Sequence, residues 1–134
     1  MKANELMIGD WVSESHSGCI DAMNDIAPYD ENIQLQQDDF GLDECFFGRL
    51  SPIPLTPEIL EKNGFENVGS EVYECDVLPF YIWWERDRHR LGIDIEDSTY
   101  DKENFAQMLR VPVSYVHELQ HALRLCGIKK EIVL

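Results

Sequence analysis

Between residues 71 and 96 apolar positions alternate with polar ones, the period of a strand with one covered face. Tyr73, Cys75 and Val77 alternate with Glu74 and Asp76, and Leu91, Ile93 and Ile95 alternate with Gly92, Asp94 and Glu96. Between these runs, Pro79-Phe80-Tyr81-Ile82-Trp83-Trp84 is apolar throughout, which predicts a central strand covered on both faces. Arg86-Asp87-Arg88-His89 supplies a polar turn. Together they predict a three-stranded antiparallel meander. Near residue 112 the period changes to 3.6. Tyr115, Val116, Leu119, Ala122, Leu123 and Cys126 fall on one arc, predicting a helix from Pro112 or Val113 to Cys126 with Gly127 as its stop. Ile132-Val133-Leu134 is a candidate terminal strand.

Upstream, Thr56-Pro57-Glu58-Ile59-Leu60-Glu61-Lys62-Asn63-Gly64 predicts a short helix over 56–63. Thr is a good N-cap, Pro suits the first helical position, and Gly tolerates the positive φ of a helix stop. Pro52-Ile53-Pro54 before it cannot occupy a central sheet position. Leu6 to Val12 reads as a strand with a turn or bulge at Gly9-Asp10. Residues 13–45 read as short strands and long loops around Ile20, Ile26, Ile33-Gln34-Leu35 and Phe40. The predicted class is α+β: a β-rich N-terminal segment forming a small SH3-like barrel, a short helix, the meander and a C-terminal helix. At 134 residues this is one domain, or two lobes at 1–50 and 51–134.

Charge changes the picture of partners. The net charge is −15, and residues 1–50 alone carry eleven acids against Lys2 and Arg49. Such a surface repels phosphate, which argues against nucleic acid and anionic lipid as partners. The same acidity raises the alternative of a DNA mimic that occupies a basic protein. The N-terminus meets polar residues before any signal-peptide core, and no apolar run approaches the ~20 residues of a membrane span. Cys19, Cys45, Cys75 and Cys126 stand singly, without a C-x-x-C pair. Reduced thiols and a cytoplasmic location are the expectation.

One motif carries chemistry. His117-Glu118-Leu119-Gln120-His121 is a literal H-E-x-x-H. On a helix, residues four apart point the same way, so His117 and His121 could bind one Zn²⁺, with Glu118 as general base. Three considerations oppose a zinc hydrolase. The extended metzincin motif is excluded, because Arg124 and Gly127 stand where its glycine and third histidine belong. A third ligand would have to come from upstream, from His89, Asp94 or Asp97. Both histidines also lie opposite the apolar arc, where solvent is expected, and the helical framework is short for a zincin.

Tyr115-Val116-His117-Glu118-Leu119-Gln120-His121 resembles the C-terminal Tyr-Val-His-Gln-Leu-Gln-Asn signature of a family of small uncharacterised proteins from gut bacteria and their phages. Met1 to Val12 resembles that family's opening, and Ile53 to Leu60 with Gly64-Phe65-Glu66 its central helix. The resemblance covers about 30% of the chain, in the same order. It implies that Glu118 replaces Gln and His121 replaces Asn in a structural helix, and it implies no activity.

Other constellations are weaker. Asp94 to Glu103 is acidic, but Thr99 and Phe105 occupy the EF-hand's glycine and glutamate positions. Asp38, Asp39, Asp43 and Glu44 suit a solvated loop. His16 with Cys19 shows no sign of an activated thiol. Trp83 and Trp84, as strand neighbours, point to opposite faces rather than forming one stacking platform. Serine-hydrolase, P-loop and Rossmann motifs are absent from the sequence. The reading that remains is a non-enzymatic cytoplasmic accessory protein acting through protein contacts.

Overall fold

A computed structural model of the chain describes residues 1–17, 19–21, 24–96 and 105–134. The class is α+β, and the chain divides into two compact units, Met1–Ile53 and Pro54–Leu134.

In the first unit, Leu6 to Val12 is not one strand. Gly9 turns the chain with φ near 89°, Asp10 is fully buried, and its carboxylate accepts from the Met7 amide at 2.8 Å. The first strand, β1, therefore runs only from Trp11 to His16. β2 (Cys19–Asp21) and β3 (Asn24–Ile26) form a hairpin, and β4 (Tyr29–Gln34) returns antiparallel to β1. A short helix, α1 (Glu44–Gly48), is capped by Asp43, whose carboxylate accepts from the Phe46 amide at 3.2 Å. β5 (Leu50–Pro52) then pairs with the other edge of β1. Pro52, with no amide to give, sits on this outer strand. The sheet order is β4-β1-β5, over a core of Leu6, Val12, Leu35, Phe46, Phe47 and Leu50. This corrects the SH3-like barrel: β4 and β5 stay on opposite edges, so among the described residues the sheet does not close.

The second unit begins with α2 (Pro57–Lys62). Thr56 Oγ1 accepts from the Ile59 amide, Pro57 takes the first position, and Gly64 has φ near 87°, as the sequence predicts. A five-stranded antiparallel sheet follows: β6 (Glu66–Gly69), β7 (Val72–Val77), β8 (Phe80–Glu85), β9 (Arg90–Glu96) and β10 (Phe105–Pro112). Its order is sequential, so the predicted meander, β7-β8-β9, is its centre. Tyr73, Cys75, Ile82, Trp84, Leu91 and Ile93 are buried. β8 is not covered on both faces, however. Ile82 and Trp84 are buried on one side, while Tyr81 and Trp83 are half-buried on the other. Trp83 lies across Gly92, its partner in register, under the Arg110 guanidinium 4.2 Å from its ring centre.

The last helix, α3, spans Val116–Leu125. It starts later than predicted because Pro112 and the residues before it continue the sheet as β10. Val113 is buried, and its carbonyl accepts from the indole N–H of Trp84 at 2.8 Å. Val116, Leu119, Ala122 and Leu123 form the buried stripe, and Gly127, φ near 73°, ends the helix. The terminal residues form no strand. Ile132 is buried in irregular backbone.

Candidate functional site

Tyr115 has extended backbone and α3 begins at Val116, so Glu118 occupies the third helical position. Its Oε1 accepts from the Ser114 amide at 3.0 Å and the Tyr115 amide at 3.1 Å. That is the return half of a capping box, in which a carboxylate satisfies amides that the first turn leaves unpaired. The helix dipole adds to the preference for negative charge there.

The histidines do not both face solvent, which corrects the expectation drawn from the arc. His117 is buried at 8% exposure, its ring stacked on Tyr115 at 6.1 Å. His117 is thus covered although it lies off the apolar arc. His121 meets the His117 ring edge-to-face at 5.6 Å and is half-buried. Glu118 and His121, with Leu109, Val111, Pro112, Val113, Ala122 and Leu125, line a shallow groove of about 270 Å³ between β10 and α3.

The upstream ligand candidates have other contacts. Asp94 is paired with Arg110 at 2.8 Å, and His89 packs edge-on against Trp84 at 5.8 Å. Asp97, and with it the part of the Asp94–Glu103 stretch from Asp97 onward, lies outside the described residues. Asp39 and Asp43 of the acidic run serve as turn and helix caps, accepting from the Gln36 and Phe46 amides.

The first unit contains a grouping that the sequence reading missed. Glu14 and His16 lie two apart on β1 and share a face; Glu31 of β4 is directly across from Glu14. His16 Nε2 is 3.1 Å from Glu14 Oε1 and 3.3 Å from Glu31 Oε2. Neither contact has hydrogen-bond geometry, and Nε2 itself is screened from solvent. Tyr29, the register partner of His16, stacks on the imidazole with ring centres 4.6 Å apart. Arg49 approaches the other oxygen of Glu14, Oε2, at 3.4 Å. Among the described residues, this is the one grouping of three ligand-bearing side chains with all donors within 4.8 Å. The only sequence signal was an E-x-H on a strand; Glu31 enters solely through register.

Comparison with protein-family models, curated proteins and solved structures finds no match to the chain.

Proposed function

We propose that this chain is a non-enzymatic cytoplasmic accessory protein that acts by binding another protein along the groove between β10 and α3. The observation that carries the reading is the groove's composition and position. It is lined mainly by aliphatic side chains, and β10 ends the sheet order, with no strand on its outer side among the described residues. Such an edge suits an extended segment of a partner, whose main chain pairs with the strand while alternate side chains enter the groove. Leu125 at its rim is 76% exposed, an arrangement that favours an apolar anchor. With a net charge of −15, the chain favours a basic partner, which charge complementarity steers towards it. The double engagement of Glu118 as a cap supports a binding role for this helix over a hydrolytic one.

Capture of partners from lysate by full-length wild type and Leu125→Asp, at low and high salt, tests this. The expected result is a discrete basic protein retained by wild type and reduced at least tenfold by Leu125→Asp, with unchanged melting of the bait. Equal retention by both baits, or none by either, overturns the proposal. Retention confined to nucleic-acid-binding proteins, steeply lost with salt and indifferent to Leu125, would instead favour the DNA-mimic reading.

A further inference from the structure

Two glutamates directly opposite on antiparallel strands repel each other unless a cation lies between or beside them. Glu14 and Glu31 are such a pair. Arg49 offsets part of this charge, but it does so at Glu14 Oε2, leaving Oε1 turned to His16, whose Nε2 also faces Glu31 Oε2. The imidazole is held by its stack on Tyr29 with Nε2 inward, screened from water and with no aligned hydrogen bond.

The spacing is that of a coordination sphere. Bonds of about 2.0–2.1 Å at tetrahedral angles place neighbouring donors about 3.3–3.4 Å apart. The two N···O separations here are 3.1 and 3.3 Å. A lone pair on Nε2 that aligns with neither carboxylate is free to point at an ion held between all three groups. One imidazole with two carboxylates is a mixed N/O set, which suits zinc and its first-row neighbours better than Ca²⁺ or Mg²⁺, which prefer oxygen alone. Arg49 on the distal oxygen of Glu14 and Tyr29 on the ring act as the outer support that orients metal ligands.

We propose that Glu14, His16 and Glu31 form a binding site for a divalent transition metal of the zinc class. Glu31 is 56% exposed on its side chain, so the fourth position opens to water, and the ion ties β1 to β4 at the end of their pairing. The site is independent of the β10–α3 groove.

The test is calorimetric titration of metal-stripped, full-length protein with Zn²⁺ alone, at physiological salt, beside His16→Gln, Glu31→Gln and His121→Asn. The expected result is one zinc per chain for wild type, with affinity reduced at least tenfold in both His16→Gln and Glu31→Gln. A Zn²⁺-dependent rise in melting temperature should vanish in the same two variants, and their metal-free melting should match wild type, since Glu31 is exposed and His16 partly so. Absence of binding by wild type overturns the site. So does retention of wild-type affinity by either His16→Gln or Glu31→Gln, or zinc that is lost in His121→Asn instead.

Discussion

The side-chain amide of Asn63 pairs with the backbone of Val133 in both directions. Nδ2 donates to the Val133 carbonyl and Oδ1 accepts from the Val133 amide, each at 2.8 Å. Nδ2 also donates to the Ile59 carbonyl at 2.8 Å, at the end of α2. Asn63 thus offers the irregular tail the pairing a neighbouring strand would give, next to the buried Ile132.

Asn63→Ala should therefore cost more than an ordinary polar truncation. Losing three hydrogen bonds and leaving the Val133 groups bare is worth about 2–3 kcal/mol. Urea unfolding reads the loss, and hydrogen exchange at the Val133 amide should accelerate before global unfolding. Asn63→Asp keeps the acceptor but loses both donors, and should fall between.

Gly92 admits no side chain. A Cβ there would stand 2.3 Å from the Trp83 ring. Gly92→Ala should destabilise by about 1–3 kcal/mol through overpacking and shift Trp83 fluorescence as the indole leaves Arg110. Adding Trp83→Leu should recover part of the loss, because the clash goes with the ring. A fully additive double variant would show that the clash is relieved elsewhere.

Glu118→Ala should cost about 0.5–2 kcal/mol, the usual worth of a capping interaction, and fray the first turn of α3. Glu118→Gln should recover much of this, because the amide oxygen can still accept. Thermal melts of the three proteins decide it. A general base would show no such rescue by glutamine in activity, so cap and base separate cleanly.

Burial pushes the Cys75 thiol above its ordinary value of 9.0, with smaller opposing and reinforcing effects from Lys130, Asp76 and Glu66. The unfolded chain ionises this thiol first as pH rises, while the fold keeps it neutral. The resulting stability is complete below pH 9 and is lost as pH climbs through the raised folded value. The melting temperature should therefore decline above pH 9 less steeply in Cys75→Ala than in wild type. Among the described thiols, alkylation at pH 8 should reach exposed Cys45 well before Cys75.

The central sheet was legible because burial falls on alternate residues: Tyr73 and Cys75, Ile82 and Trp84, Leu91 and Ile93. Helix 57–62 was legible because Thr56, Pro57 and Gly64 each have a local job. β6 left no trace, since all four of its residues are exposed and no face is selected. β10 was hidden by a register shift between Gln107 and Leu109, which breaks the two-residue period. The burial of His117 rests on packing outside its own helical arc, and the Glu14–His16–Glu31 grouping on strand register. Both are tertiary facts that no window of neighbouring residues contains.

The sheet order also sets how fast each unit can find its structure. In the second unit every strand pairs with the next one in the chain, so each step closes only a short loop. In the first, β1 must wait for β5, which arrives from the far end of that unit after a hairpin, a returning strand and a helix. The entropy of that larger closure is met before its contacts repay it. Refolding followed by pulsed hydrogen exchange should protect the Ile82 and Ile93 amides while the Val12 region is still open, so that the seat of Glu14 and His16 is among the last parts of the molecule to form.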